Sequence, residues 1–141
     1  MKALSVWQPW ASLIAMGLKR YETRSWWTSY RGPLVICAAK RNYDVNEAAT
    51  LFYKADPDRH VSEILWLPKG MALCVVELVS CSRTDGLPVA VPERLLGDFS
   101  RFRFAWELKN LKPFVEPFSV RGRQRLFDVD DELVERALKA A

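Results

Sequence analysis

Apolar and polar residues along this chain alternate in short segments that predict strands. From Phe102 to Leu108, four bulky apolar side chains alternate with smaller or polar ones, as in a strand with one buried face. The runs 33–38 and 71–82 are mostly apolar, which is typical of buried strands. Prolines in the segment 112–120 predict an edge strand, because proline cannot donate a ladder hydrogen bond. Further strands are predicted over 3–6, 19–24 and 124–129.

Helical patterns are short and lie between the predicted strands. Apolar residues at helical spacing predict one helix over 9–16 and a shorter helical segment over 58–66. Asp44 is a typical N-cap for a helix over 44–54, and Asp130 for a C-terminal helix with an apolar stripe. Since strands and helices do not alternate regularly, a doubly wound sheet is not expected. The pattern predicts an α+β fold class, a compact mixed β-barrel of about six short strands with small helices packed around it.

Composition agrees with one globular domain, which we expect to span residues 1–141. Half of the residues are apolar and 27% are charged, the ordinary range for a folded domain. No apolar run approaches the length of a membrane span, and the first residues do not resemble a signal peptide. We therefore expect a cytoplasmic monomer without a membrane partner.

Neither a metal nor a cofactor is expected from the motifs. The three cysteines, Cys37, Cys74 and Cys81, lack the spacing of a zinc site, and their odd number argues against a disulfide framework. Glycine-rich phosphate-binding loops do not occur in the sequence. A nucleophile paired with histidine would need His60, whose charged neighbours favour a surface position instead.

Basic residues are concentrated in two segments. Residues 1–41 carry seven bases and one acid, for a net charge of +6, whereas residues 42–118 carry nine bases and eleven acids. A second basic group, Arg121, Arg123 and Arg125, precedes the acidic C-terminal residues. If the two segments meet in the fold, they form a positive surface suited to phosphate; scattered solvated side chains are the alternative.

The candidate group for chemistry is Lys19, Glu22 and Arg24, which follows Gly17. In a cavity, Glu22 would hold one of the cations in place, and the cations would bind phosphate or polarise a carbonyl. On a surface strand the same residues would form weak ion pairs. Glu77 interrupts an otherwise apolar run, so it must find a partner if it is buried, or else it faces water.

Aromatic residues favour a binding site in the same region. Six of the ten tryptophan and tyrosine residues lie within the first 30 residues, among the basic ones. Aromatic faces interleaved with arginine and lysine are typical of proteins that stack the bases of single strands. Since most tryptophans in folded proteins are largely buried, we expect one or two of them to face a ligand.

Several motifs resemble the activating-signal-cointegrator homology (ASCH) domain family. The string Gly17-x-Lys19-x-x-Glu22-x-Arg24 fills all four positions of that family's hallmark pattern. Further matching segments follow in order over nearly the whole chain: 4–14, 30–36, 70–73 leading to Glu77, 104–108 and 120–124.

This resemblance implies a PUA-like mixed β-barrel with a cleft between the barrel and the first helix, where RNA, single strands or nucleotides bind. By position, the hallmark residues would line that cleft. The residues then expected to bind nucleic acid are Gln8, Trp10, Lys19, Glu22, Arg24, Arg31, Arg123 and Gln124.

Some small bacterial relatives of this kind are amidohydrolases that remove acyl groups from modified cytidines, and the resemblance also allows ribonuclease activity. Their pattern resembles Lys-x-x-Thr with a glutamate on a strand. Lys19 and Glu77 match, but Glu22 occupies the threonine position. Thr23 is adjacent, and neighbouring side chains of a strand point to opposite faces.

Three functional hypotheses follow. The favoured one is a module that binds RNA or another single-stranded nucleic acid. The alternative is a small hydrolase for a modified nucleoside or RNA, with Lys19, Glu22 and Glu77 as candidate catalytic residues. A protein-interaction module would instead require a large exposed apolar patch, for instance around Trp26, Trp27 or 65–67.

Overall fold

The computed structural model describes residues 1–59 and 62–139, in which six strands, three α-helices and two 3₁₀ helices occur. The strands are β1 (Lys2–Val6), β2 (Tyr21–Arg24), β3 (Gly32–Ala38), β4 (Met71–Arg83), β5 (Phe104–Ser119) and β6 (Phe127–Asp128). The α-helices are α1 (Trp10–Ala15), α2 (Val45–Ala55) and α3 (Asp131–Leu138), and the 3₁₀ helices are Ser62–Trp66 and Glu93–Leu96.

Helix starts follow the predicted capping residues. The Asp44 carboxylate accepts hydrogen bonds from the backbone N–H groups of Asn46 and Glu47 at the start of α2, and Asp130 caps α3 in the same way. Both acids satisfy donors that have no partner within the helix. The helical segment expected over 58–66 is the 3₁₀ helix Ser62–Trp66. His60, and with it the prediction about a catalytic histidine, lies outside the described residues.

The sheet confirms the α+β class, but the prediction that it closes into a barrel is wrong. Its strand order is β2-β5-β4-β3-β1-β6, with β1 and β3 parallel and the other pairs antiparallel. The edge strands β2 and β6 are four and two residues long and do not pair with each other. The Arg24 guanidinium of β2 donates to the Ser5 carbonyl of β1 at 2.7 Å. A side chain therefore links β2 to β1, two strands that do not pair through their backbones.

The two strands expected over 102–108 and 112–120 form one long strand, β5. The ladder between β4 and β5 continues past the expected break through shifts in register, and Asn110 adopts a left-handed conformation there, with φ of 54°. The expected edge character holds for the second half of β5, because β2 pairs only with its first four residues. The predicted strand over 124–129 is reduced to β6.

Both faces of the sheet are covered. Along β3, Leu34 and Ile36 point into a core shared with α1 and the fully buried Trp106, whereas Val35 and Cys37 point into a second core under α3. A third cluster joins α1, α2 and the 3₁₀ helix Glu93–Leu96 around buried leucines. This third cluster fixes the 3₁₀ helix beside β2, and so shapes the space between them.

Candidate functional site

A cavity of about 510 Å³, open to solvent, lies between β1, the start of α1, β2 and the segment 95–98. Its size is typical of sites that take a small molecule or one unit of a polymer. The charged side chains in its wall are Lys19, Glu22, Arg24, Asp98 and Arg103, and the remaining lining residues are Ser5, Val6, Trp7, Trp10, Thr23, Leu51, Leu95, Leu96 and Gly97.

Lys19 is placed in this wall by the end of α1. Gly17, with φ of 77°, ends the helix in the left-handed conformation, and the next two backbone N–H groups donate to the Leu13 carbonyl. The Lys19 side chain is 2% exposed, and its Nζ donates to the Leu96 carbonyl at 3.0 Å. Burial lowers the pKa of Lys19, an effect that the nearby Glu22 carboxylate opposes. An ammonium can donate three hydrogen bonds, and within the described part of the chain this one donates only to Leu96.

Glu22 and Arg24 form a partly buried ion pair beside Lys19. The Arg24 Nε and Nη2 atoms each lie 3.0 Å from Glu22 Oε2, and the Thr23 backbone N–H donates to Oε1. The same guanidinium reaches the Ser5 carbonyl. The Nε and Nη2 groups of Arg24 therefore bind protein acceptors. Through these bonds Arg24 holds the Glu22 carboxylate in place and joins β2 to β1.

The segment 93–98, hereafter the 93–98 wall, was missed by the sequence analysis. Glu93 accepts hydrogen bonds from the backbone N–H groups of Arg20 and Tyr21, at 2.8 and 3.3 Å. Farther along, the Asp98 N–H donates to the Thr23 hydroxyl at 3.0 Å. These bonds replace the strand neighbour that the edge strand β2 lacks on this side. In the sequence, Pro92 and Gly97 indicate only that this segment is a loop. Where the loop lies in the fold depends on tertiary contacts, which the sequence does not show.

Gly97 lies in the cavity wall close to the polar atoms of Lys19 and Thr23. A Cβ atom at this position would stand 3.2 Å from Lys19 Nζ and 3.3 Å from Thr23 Oγ1. Both polar groups are therefore near one point in space. Neighbouring side chains of a strand point to opposite faces, and Glu22 and Thr23 were expected to do so. Both residues nevertheless line the cavity.

Asp98 and Arg103 add a second charged pair, which was also not predicted. Hydrogen bonds from the Ser100 hydroxyl and backbone N–H lower the pKa of Asp98, and Asp98 Oδ2 lies 3.3 Å from Arg103 Nε. Arg103 Nη2 donates to the Thr23 carbonyl, but the buried Nε makes no hydrogen bond of acceptable geometry. Asp98 is nevertheless the electrostatic partner of this nitrogen, so the pair holds the Arg103 guanidinium in the cavity wall.

Two tryptophans line the cavity. Trp10 was predicted as a site residue and is half-buried; Trp7 is 54% exposed, and the Arg41 guanidinium lies 3.6 Å from its ring centroid. Gln8, also predicted, does not line the cavity. Its side chain is buried and bonds Ser12 and the Pro68 carbonyl, so it supports the start of α1.

Four other predicted residues lie outside the cavity. Glu77 is exposed on β4, where Asn110 Nδ2 donates to it at 3.3 Å, and it lines a second cavity of about 490 Å³. Arg31, Arg123 and Gln124 are exposed as well. Arg31 donates to the carbonyls of its own turn. The structure therefore brings together Lys19, Glu22, Arg24 and Trp10, but not Glu77.

The described residues contain no group of three His, Cys, Asp or Glu side chains placed to hold a metal. The three cysteines are buried, and burial raises the pKa of Cys37 and of Cys74 to about 12. Within the same part of the chain, every helix is too short or too polar to cross a membrane.

The sequence of this chain is that of an ASCH domain. The family model described as "ASCH domain" matches residues 4–118, so the chain belongs to that family and the resemblance is confirmed. Among curated proteins, the chain is 31% identical to activating signal cointegrator 1 of Homo sapiens and 30% identical to that of Mus musculus, over 138 residues in each case. These alignments cover 96% of this chain but 23% of each relative, so the chain spans about a quarter of their length.

Solved structures agree on the fold. The ASCH protein from Zymomonas mobilis matches with a TM-score of 0.57 at 13% identity, covering 96% of this chain and 91% of that one. Two mutants of the same protein match with TM-scores of 0.55 and 0.56. At this identity the likeness shows the α+β fold alone.

Proposed function

We propose that this chain binds single-stranded nucleic acid, RNA in particular, by taking one nucleotide into the cavity beside Lys19. The observation that carries the proposal is the buried Lys19 ammonium, which donates to one backbone carbonyl and faces an open space of about 510 Å³. A buried charge with spare donors is costly without a ligand. A ligand that supplies acceptors would recover part of that cost.

The chemistry of the wall suits a nucleobase with its sugar. Trp7 and Trp10 offer aromatic faces, and base–aromatic stacking contributes on the order of 1–3 kcal/mol per base. The Lys19 ammonium and the Arg103 guanidinium are donors, whereas the carboxylates of Glu22 and Asp98 are acceptors. A base edge presents both kinds of group, so a wall that combines them is able to read it.

A hydrolase is the second candidate, and one observation favours it. Lys19 Nζ and Thr23 Oγ1 lie close to the same point, and burial lowers the pKa of Lys19 toward a neutral amine. A neutral amine there would accept the Thr23 proton while the hydroxyl oxygen attacks the acyl carbon of a modified cytidine. As the tetrahedral intermediate collapses, the C–N bond breaks and the Lys19 ammonium returns the proton to the leaving amino nitrogen of cytidine. Water would then hydrolyse the acyl-threonine, releasing the carboxylic acid and restoring the hydroxyl. Glu77 has no part in this scheme, because it lies outside the cavity.

The test compares binding of a labelled single-stranded RNA to the wild type, to Lys19→Ala and to Lys109→Ala. Lys109 is an exposed lysine paired with Glu77 in the ladder between β4 and β5, so it is a charge-matched control. We expect Lys19→Ala to weaken binding by at least about tenfold and Lys109→Ala to leave it nearly unchanged. Equal affinity of Lys19→Ala and wild type would overturn the proposal.

A second variant guards against a purely structural effect. Gly97→Ala keeps the Lys19 charge but places a methyl group 3.2 Å from Nζ, so it should also weaken binding while the protein stays folded. Parallel incubation with acylated cytidine separates the two candidates. Product released by the wild type, but not by Lys19→Ala or Thr23→Val, would establish the hydrolase.

A further inference from the structure

Ten arginines are exposed and form no ion pair within residues 1–59 and 62–139, and six of them belong to the two basic segments. By contrast, Arg24, Arg83 and Arg103 each lie against a carboxylate. Glu22, which Arg24 already neutralises, is the single acid of residues 1–41. Of the six, Arg20 has its backbone bonded to Glu93, whereas the other five adjoin tryptophan rings or β1. They are Arg31, Arg41, Arg121, Arg123 and Arg125.

Three of these arginines lie over tryptophan rings. The guanidinium carbon is 3.6 Å from the ring centroid for Arg41 over Trp7 and 4.8 Å for Arg125 over Trp26. Arg31 lies 5.9 Å from the centroid of Trp27. Such stacking limits the freedom of a long side chain without using its N–H groups, of which, in the described part of the chain, only Arg31 Nη1 donates to carbonyls, those of Thr28 and Tyr30. These arginines are thus held in place without being neutralised, as a phosphate site requires.

The arginines are continuous with the cavity. The segment 121–125 runs against β1, since a Cβ at Gly122 would stand 3.1 Å from Ser5 Oγ, and Ser5 lines the cavity. Arg125, at the end of this segment, reaches Trp26, which is followed by Trp27 and its Arg31. Trp7 likewise lies both in the cavity wall and beneath Arg41. Arginines therefore adjoin the cavity through Ser5 and through Trp7.

We propose that this arginine surface, formed by the five arginines with Trp7, Trp26 and Trp27, binds the phosphates of the nucleotides that flank the one in the cavity. The ligand is then a single-stranded oligonucleotide, and a free nucleoside fills only part of the site. This inference rests on the proposed function of the cavity. A single strand is favoured over a duplex because a base must leave its stack to enter the cavity, and an unpaired base does so at lower cost.

Exposed aromatic rings support the same ligand. Trp7 and Trp27 are 54% and 52% exposed, so each has surface left for a flanking base. Trp26 differs, because its ring packs edge-on against the buried Trp106 with centroids 4.8 Å apart. Trp26 therefore anchors Arg125, and Trp7 and Trp27 are the rings available for stacking.

The test is a length series, using a mononucleotide, a trinucleotide and an octanucleotide as single strands of RNA and of DNA, with a duplex of the octanucleotide for comparison. Binding is measured against salt for the wild type, Lys19→Ala and the triple variant Arg121→Ala/Arg123→Ala/Arg125→Ala. A second triple variant, Lys109→Ala/Lys112→Ala/Arg136→Ala, removes the same charge from exposed residues of β5 and α3. Circular dichroism verifies that each variant is folded.

We expect wild-type affinity to rise by at least about tenfold from mononucleotide to octanucleotide. The arginine triple variant should lose that gain yet bind the mononucleotide normally, and the slope of log affinity against log salt should fall by about 2, at about 0.7 per lost phosphate contact. A triple variant that binds the octanucleotide like the wild type or like its charge-matched control overturns the inference. So does a duplex that binds more tightly than the single strand.

Failure of the cavity proposal would look different. In that case Lys19→Ala would bind every length like the wild type, whatever the arginine variant does. If the arginine surface alone is wrong, Lys19→Ala still weakens binding at every length, and affinity does not depend on length. Preference for RNA or for DNA identifies the sugar, and either result supports the inference provided that the length dependence is present.

Discussion

The two cavities of this protein have nearly the same volume, about 510 and 490 Å³, but they differ in how they hold charge. In the first, Lys19 and Glu22 are buried and fixed by hydrogen bonds to backbone and to Arg24. In the second, Glu77 and Lys112 are exposed to solvent. The volume of a cavity therefore does not distinguish a candidate site from a surface depression. The burial of its charged side chains does distinguish them.

The difference follows from the elements around each cavity. The first lies at the open edge of the sheet, where β2 has the 93–98 wall instead of a strand neighbour. Side chains there are enclosed from two sides. The second lies beside the paired strands β4 and β5, where the charged side chains of Glu77 and Lys112 project from the ladder into water. Incomplete pairing at the sheet edge thus creates the enclosed polar site.

The largest effect is expected at the pair of Glu22 and Arg24. Arg24→Ala leaves the nearly buried Glu22 carboxylate without its cation and removes the donor to Ser5, so unfolding free energy should fall by roughly 3–5 kcal/mol. Urea denaturation measures the change.

Arg83→Ala is the matched control, because the pair of Arg83 and Asp85 is largely exposed. Its removal should cost about 0–1 kcal/mol. If both variants lose less than about 1 kcal/mol of unfolding free energy, the enclosed and the exposed ion pair contribute equally to stability. The contrast between the two kinds of charge would then be wrong.

Local sequence signals predicted most elements of the fold. The caps Asp44 and Asp130 and the buried run in β4 depend on nearest neighbours in the chain, and these elements were located within a few residues. The sequence did not predict that β5 is one long strand or that the sheet is open. Both features depend on long-range pairing, because a register shift carries the ladder past Asn110 and the edge strands β2 and β6 do not pair with each other.

The site was predicted in part for the same reason. Lys19, Glu22 and Arg24 stand within six residues of one another, so their unusual mixture is visible in the sequence. Asp98 and Arg103 come from distant segments, and only the fold brings them to Thr23. Glu77 was singled out as a lone charge in an apolar run, but one chain does not reveal which face of a strand meets the cavity.

An intermediate effect is expected when the buried cation itself is removed. Lys19→Met keeps similar length and apolar contacts, ends the desolvation of the ammonium and leaves the Leu96 carbonyl without its donor. The two changes oppose each other, and we expect the variant to gain about 1 kcal/mol of unfolding free energy at neutral pH while it loses nucleic-acid binding.

The pH dependence of that gain is the stricter measurement. Burial lowers the Lys19 pKa in the folded protein, so above this pKa the folded state binds fewer protons than the unfolded state, and wild-type stability rises with pH. The advantage of Lys19→Met should therefore be largest below the folded pKa and shrink as pH rises through it. A difference between the variants that does not change with pH would show that Lys19 is not desolvated.

The smallest effect is expected at Glu77. Its carboxylate is exposed and accepts one long hydrogen bond from Asn110, so Glu77→Ala should change unfolding free energy by less than about 0.5 kcal/mol. Binding of single-stranded RNA should also stay within about twofold of wild type. Glu77 is exposed and lies outside the first cavity, so salt screens its charge from a ligand bound there. A large loss of affinity here would mean that the nucleic acid contacts the second cavity. The distinction between the two cavities would then depend on ligand size and not on buried charge.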